Sequence, residues 1–535
     1  STLRSTRGRS YSACPNVADW ESAFGESGDV IAFTITSSLS GSYNAACVAG
    51  KNCTERNPAR RIHVVDTLSA GPEITLLLEK TLSEQSSGAG FDEVCENLKA
   101  YQRRTHLLFA LESMHNLAQN GRISRLTATM AGVLGIRAAG QASAGKFVEV
   151  KGPDLIKPDG SKLYIRGTNL GNWLNPEGYM FDFQRTNSPR FINEMLCQLA
   201  GEEYAAEFWQ QFKDNYITRK DIEFIASTGA NTIRLPFHYK LFTDEDYMGL
   251  TARQDGFARI DSVVGWCRDN GLHLILDMHD APGGQTGDNI DDSYGYPWLF
   301  ESEKLQQLFC DIWQKIARRY KDEPIILGYE LINEPIAPYF DNVEELNARL
   351  EPLHKRAVKA IRAVDTNHII LLGGSQWNGN FKPFTDSTYD DKLMYTCHRY
   401  GGDPTPEAIG NFIEFRDKVN LPMYMGEIGH NTDQWQRRFC ETLESNNIGY
   451  TFWPYKKVDK SCMAAITRPE NWEIIVNFAE APRGTYKEIR EARPDVATAR
   501  KALADWLENI RIENCTPQTS YIESIKLKAP ATPHQ

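Results

Sequence analysis

After about residue 160 the chain repeats one pattern, a short apolar run followed by a stretch of helical period. The runs are KLYIRGTNL (162–170), NTIRLPF (231–237), LHLILDMH (272–279), IILGYELI (325–332), HIILLGG (368–374), KLMYTCH (392–398), PMYMGEI (422–428) and IGYTFWPY (448–455). Segments this long that are apolar on both faces read as buried parallel strands. Between them Ile260, Val263, Val264 and Cys267 fall at i, i+3, i+4 and i+7, as do Leu305, Leu308, Phe309 and Ile312, the spacing of an amphipathic helix. Eight such units in roughly 350 residues predict an α/β fold, a (β/α)8 TIM barrel. The rival, a doubly wound open sheet, would call for a Gly-rich phosphate loop that the sequence lacks. In a barrel the chemistry gathers where the strands end, and there stand Arg234, His279, Asn333, Glu334, His398, Glu427 and Trp453.

The first 145 residues follow a different pattern. DVIAFTITSSLSGSYNAA (29–46) and RIHVVDT (61–67) read as strand–loop–helix units of a partial open α/β sheet, and KTLSEQSSGAG (80–90) reads as loop. VLGIRAAGQASAGKFVEV (133–150) then passes into the barrel without a long linker, so the expected domains are 1–145 and 146–535.

Composition narrows the functions open to such a chain. Its 535 residues carry a formal net charge of −11, with 70 acidic and 59 basic residues interleaved, which disfavours nucleic acid as a partner. No run approaches the ~18 apolar residues of a membrane span. The opening STLRSTRGRS lacks the apolar core of a secretion signal. The 11 cysteines show no CxxC spacing, and Cys267, Cys310 and Cys397 are expected as small core residues. GDNIDDS (287–293) lacks the glycine and distal glutamate of a calcium loop and is expected to be a solvated acidic loop. Neither a metal nor a cofactor is implied.

The two acids that close the fourth and seventh runs carry the chemistry. Hydrolysis of a glycosidic bond needs one carboxyl to protonate the leaving oxygen and one to attack or to activate water. Around them IRGTNLGNWL (165–174), NTIRLPF, DMHDAPGGQ (277–285), INEP (332–335), CHRY (397–400), GEIG (426–429) and FWPY (452–455) occur in order. In these motifs the region from about 146 to 515 resembles glycoside hydrolase family 5. The resemblance implies Glu334 as general acid/base and Glu427 as nucleophile of a retaining pair, with carboxyls about 5 Å apart. It also implies that Asn333 binds the sugar 2-hydroxyl, that Arg234 and Tyr400 hold Glu427 ionised, that His279 and His398 orient hydroxyls, and that Trp453 stacks on a pyranose ring. His238 and Asn172 are further pocket candidates, while Trp173, Trp298 and Trp377 are read as core ahead of the alternative, stacking on sugar in a subsite. The substrate class implied is a β-linked polysaccharide or oligosaccharide, cleaved as by an endo-β-1,4-glucanase. The strand-three loop and NLGNWLNPEGYMF also resemble the exo-β-1,3-glucanase branch, and long loops at 175–220 and 281–303 would suit a pocket. A sugar-binding barrel with a dead site is the non-enzymatic alternative. By the same resemblance the barrel is expected to work outside the cell or in the periplasm.

The front segment resembles part of a DegV-like fatty-acid-binding protein in SACP (12–15), TSSLSGSYNAA (36–46), VVDT (64–67), LLFALESMHNLAQNGRIS (107–124) and AGVLGIR (131–137). The resemblance implies that Ser12 and Ser37 or Ser38 hold a fatty-acid carboxylate through charge-assisted bonds. The segment is expected to be a truncated module, its closing half replaced by the barrel. GQASAGKF (140–147) resembles the tail of a cleaved secretion signal.

Overall fold

A computed structural model describes residues 14–37, 40–67, 69, 71–102, 108–111, 138–141, 147–248, 255–458 and 460–529. Two compact units emerge, Ser1–Lys146 and Phe147–Gln535.

In the first unit the strands Val30–Thr34 and Ile62–Asp66 pair in parallel. Helices Val17–Phe24, Ser42–Arg56, Pro72–Ser86 and Phe91–Gln102 accompany them, and Leu108–Leu111 pairs antiparallel with Ala138–Gln141. Asn16 opens the first helix with a reciprocal capping box to Asp19. Arg60, nearly buried, ties that helix's end to the sheet by donating to the carbonyls of Phe24, Gly25 and Gly28. The stretch expected as loop at 80–90 is helical as far as Ser86. Lys80 and Glu84 pair one turn apart and Leu77 is buried on the inner face, so packing overrides the polar composition. Ser12 and Ser38 lie outside the described residues. Ser37 is exposed, and its backbone N–H donates to Asp66 at 3.1 Å.

The second unit is a closed barrel of eight parallel strands. In chain order they are β1 (Arg166–Asn169), β2 (Thr232–His238), β3 (His273–Asp280), β4 (Ile326–Glu330), β5 (Ile369–Gly373), β6 (Leu393–His398), β7 (Met423–Glu427) and β8 (Gly449–Phe452), each paired with the next and β8 with β1. Both predicted helices form, as Asp255–Asn270 and Glu303–Tyr320, and Ile260, Val263, Val264, Cys267, Phe309 and Ile312 are buried. Cys310 and Cys397 are buried as well.

Two boundaries differ from expectation. The run 162–170 divides: Lys162–Leu163 joins Glu149–Lys151 and Asp154–Ile156 in a small antiparallel sheet, and the barrel strand begins only at Arg166. That small sheet packs Val148, Leu155 and Leu163 against Ile275, Leu327, Ile369 and Met394 near the strand starts, closing the bottom of the barrel with apolar side chains. The stretch 175–220 is not a loop either. It holds helices Pro189–Ala200 and Glu202–Tyr216, whose buried faces place Trp209 and Phe212 beside Phe181.

Candidate active site

The top of the barrel is organised around one buried cation. Arg234, the third residue of β2, is fully buried, which is tolerable for a charge only when every donor is satisfied. Its Nη1 donates to Glu427 Oε1 at 2.7 Å and Asn169 Oδ1 at 3.1 Å. Its Nη2 donates to Glu330 Oε1 at 2.7 Å and Asn333 Oδ1 at 2.8 Å, and Nε reaches Glu330 Oε2 at 3.1 Å. Asp277 Oδ2 lies 3.0 Å from Nη2. Four strands or their ends, β1, β3, β4 and β7, thus converge on a guanidinium carried by β2, whose rigid fork fixes the direction of each partner.

Glu427, the last residue of β7, also accepts from the Tyr400 hydroxyl at 2.6 Å. Burial alone would raise its pKa. His398, Arg234 and His279 facing it, together with the Tyr400 bond, bring it instead down to about 2. Glu427 is therefore a carboxylate at any physiological pH. Glu330 responds to the same surroundings in the opposite sense: buried at the end of β4, it is pushed up despite Arg234, and Tyr424 donates to it at 2.6 Å.

Glu334 stands four residues beyond β4 in a left-handed turn, with φ of +44°, and Ile336 follows at +60°. Its Oε1 takes a hydrogen bond from His398 Nδ1 at 2.7 Å, while His398 Nε2 faces the Asn378 amide nitrogen at 3.0 Å. Both ring nitrogens of His398 are thus engaged, Nδ1 with Glu334 and Nε2 with Asn378. Carboxylate oxygens of Glu334 and Glu427 lie within 4.8 Å of each other and of His398.

A brace from the loop after β3 holds the Glu334 turn in place. Thr286 Oγ1 donates to the Glu334 carbonyl at 2.7 Å, and the Gln285 amide donates to the carbonyls of His279 and Asn333 at 2.8 and 2.9 Å. The amides of Ile336 and Ala337 return to Gln285 O and Thr286 O. Asp291 completes this brace, accepting from the amides of Thr286, Gly287 and Ser293. The 287–293 segment is therefore not the solvated acidic loop expected. Asp291 is buried, its pKa is raised to about 7 by burial and by Asp280, and it serves the backbone rather than solvent.

His279, at the other side, binds Asp277 through Nδ1 at 2.7 Å and lies flat on Trp453, with rings 5.2 Å apart and 2° from parallel. A Cβ at Gly171 would meet the Trp453 ring at 2.8 Å, so glycine is what lets the indole lie there. Trp453 Nε1 donates to the Tyr179 hydroxyl. Glu177, next to Tyr179, is buried; burial raises its pKa, and its Oε1 lies 3.8 Å from His279 Nε2 without a hydrogen bond. Asn172 shapes this loop by accepting from the Glu177 amide.

Of the residues singled out from the sequence, Arg234, His279, Asn333, Glu334, His398, Tyr400, Glu427 and Trp453 are joined in one network. Sequence reasoning missed Asn169, Asp277, Glu330, Glu177, Gln285, Thr286 and Asn378. Several sit inside the motifs themselves, within two to five positions of a residue that was chosen. His238 is drawn into a separate cluster: Nε2 faces Asp280 and Asp292 at 3.1 and 3.3 Å, and Nδ1 accepts the Lys240 amide. With Nδ1 taken up as an acceptor, a ring proton on His238 points from Nε2 toward the two carboxylates. Trp173 is core, as read, and donates to Lys213 O at 2.8 Å. Trp298 and Trp377 are not core: they are 46% and 38% exposed. Both fall on the rim, and Trp377 stands between Gln376 and Asn378, with no apolar run to carry it into the core.

A family model described as cellulase (glycosyl hydrolase family 5) matches residues 192–458, a span that contains every network residue from Arg234 to Trp453. A model of the DegV family matches residues 2–152. A β-xylosidase of Phanerodontia chrysosporium is 31% identical over 358 residues, which is 60% of this chain and 73% of that protein. Endoglucanase C of Acetivibrio thermocellus is 28% identical over 330 residues, 50% of this chain and 92% of its own length. At the front, a DegV domain-containing protein of Streptococcus pneumoniae is 43% identical over 209 residues, 39% of this chain and 72% of that protein. No helix among the described residues is long and apolar enough to cross a membrane.

Proposed function

The chain belongs to glycoside hydrolase family 5, with a DegV-type domain ahead of the barrel, and we propose that the barrel cleaves β-linked glucan-type polysaccharide or oligosaccharide by retaining double displacement. The observation that carries this reading is the pair itself: two carboxylates with oxygens within 4.8 Å, one of them held ionised. Oxygens that close support the ~5–5.5 Å separation of a retaining pair over the ~6.5–9.5 Å of an inverting one.

In the first step Glu427 attacks the anomeric carbon while Glu334 gives its proton to the departing glycosidic oxygen. A glycosyl ester forms on Glu427 and the leaving half carries away the proton. In the second step Glu334 takes a proton from water, the water oxygen attacks the anomeric carbon, and the Glu427 ester bond breaks. Arg234 and Tyr400 keep the nucleophile anionic between turnovers, and His398 directs Glu334. His279 and Trp453 offer a flat wall for the ring of the bound sugar, with Glu177 beside them as a hydroxyl acceptor. The names of the endoglucanase and β-xylosidase relatives fit a β-linked substrate.

A ¹H NMR time course on a β-glucan substrate tests the mechanism. The β-anomer is expected to appear first and the α-anomer only by mutarotation. Initial α-anomer, or a Glu427→Ala protein as active as wild type, would overturn it.

A further inference from the structure

The barrel unit's exposed large apolar side chains, among the described residues, are Phe191, Tyr294, Trp298, Tyr339, Trp377 and Tyr486. Five of these six lie in segments that leave β1, β3, β4 and β5, on the face where the catalytic pair sits. Exposed rings are not unusual one at a time, but a contiguous set on one rim marks a binding surface. Three of them are joined into one row through the half-buried rings of Phe340 and Tyr296: Trp377 lies 6.3 Å from Tyr339, Tyr339 5.1 Å from Phe340, Phe340 5.3 Å from Tyr296, and Tyr296 4.8 Å from Trp298.

The near end of this row is fixed to the acid. Trp377 precedes Asn378, whose amide meets His398, which in turn binds Glu334. Gln376, Trp377 and Asn378 all adopt left-handed backbone, with φ of 49°, 57° and 58°. Such a run is costly and persists only where the surroundings impose it. The bonds from Gln376 N to Ile336 O at 3.0 Å and from the Gln376 amide to Asn347 at 2.9 Å impose it here and present the indole at the surface. Polar groups stand among the rings: burial and the neighbouring Asp288 carboxylate raise the pKa of the Tyr339 hydroxyl, and Asn342 donates to the Tyr296 hydroxyl at 2.6 Å. Past Asp288 a cavity of about 460 Å³ opens beside Asn289, Arg190 and Tyr294, within the ~300–1,000 Å³ range of small-ligand sites.

The ring order of the barrel tells which half of the substrate this row serves. Trp453 follows β8, and β4, which carries Glu334 and then Tyr339, stands diametrically opposite β8 in the closed sheet. On the proposed reading the sugar that becomes bonded to Glu427 stacks on Trp453, which puts the half protonated by Glu334 toward β4 and β5. We propose that Trp377, Tyr339, Tyr296 and Trp298 form a stacking track for the leaving half of a β-linked oligosaccharide, and hence that the preferred substrate extends several sugar units beyond the cleaved bond. The apolar face of each pyranose ring lies on an aromatic face and its edge hydroxyls meet Asp288 and Asn342. This inference rests on Glu334 being the acid.

The test compares kcat/KM on β-glucosyl fluoride, whose leaving group is a single atom, with kcat/KM on β-glucan oligosaccharides of four to six units. In Trp377→Ala and Tyr339→Ala the ratio of oligosaccharide to fluoride is expected to fall about tenfold, through KM, the effect of losing one stacked ring. Trp377→Phe should restore most of it. Tyr486→Ala, exposed but off the rim, should leave the ratio as in wild type. An equal loss on both substrates, or an unaltered ratio in both variants, would overturn the track. Should wild type cleave neither substrate, the hydrolase reading falls by itself, and the track is then decided by calorimetric binding of the same oligosaccharides, which Trp377→Ala must still weaken.

Discussion

Thr286→Val offers the sharpest probe of how this fold aims the proposed acid, Glu334. Glu334 occupies left-handed backbone at φ +44°, a conformation that costs a non-glycine residue about 1–3 kcal/mol. The brace from the β3 loop balances that cost, and one side-chain bond in it, Thr286 Oγ1 to the Glu334 carbonyl at 2.7 Å, touches the strained residue itself. Valine keeps the shape and removes the donor. A buried carbonyl left unpaired costs about 1–3 kcal/mol, the same size as the strain being held, so the turn should relax toward ordinary backbone. The carboxyl then drifts from His398 and from the leaving oxygen, and misplacement of the order of 1 Å can cost about 10²-fold in rate. The expected result is a fall in kcat of about 10- to 100-fold with KM nearly constant, because Trp453, His279 and the aromatic rim are untouched. Thr286→Ser should stay close to wild type. Steady-state kinetics on a soluble β-glucan, with melting temperatures taken alongside, measure both effects. A Thr286→Val enzyme that loses stability but keeps its kcat, or a Thr286→Ser enzyme equally impaired, would refute the reasoning.

Two other outcomes follow from the same geometry. Glu427's pKa is depressed, so its charge is present above about pH 2 and is lost only as pH falls through that value. Tyr400→Phe removes a bond to that charge worth about 1.5–3 kcal/mol, or ~1–2 pKa units, so the acid limb of the kcat/KM profile should move upward by that amount. An acid limb that stays in place would show that Tyr400 does not support the carboxylate. Trp173→Ala empties a fully buried site and strands the Lys213 carbonyl, so it should destabilise the barrel by about 3–5 kcal/mol, read from denaturant unfolding, whereas Trp377→Ala should cost far less.

The eight strands, the two long amphipathic helices and the order of the motifs are local properties, and local pattern was enough to find them. Each barrel strand is apolar on both faces because one side meets the barrel interior and the other meets a helix, and that requirement is written in every run. The polar residues that end those runs were visible for the same reason, since nothing apolar explains an Asn-Glu-Pro after Ile332 or a Glu after Gly426. Where pattern misled, the cause was a neighbour distant in sequence. Residues 175–220 look irregular but fold as helices because Trp209 and Phe212 find Phe181. Trp298 and Trp377 look like core but sit on the rim, because the strand ends there and no layer covers them.

The sequence by itself determined that this chain builds a barrel and that acids close its fourth and seventh strands. Only the tertiary structure decided the charges that surround them. Four chain segments, far apart in sequence, bring Asn169, Asp277, Glu330 with Asn333, and Glu427 to one buried guanidinium. The distances in that cluster, not the order of residues, hold Glu427 ionised and raise Glu330. A pKa depends on burial and on charges a few ångströms away, and neither quantity exists until the strands have met.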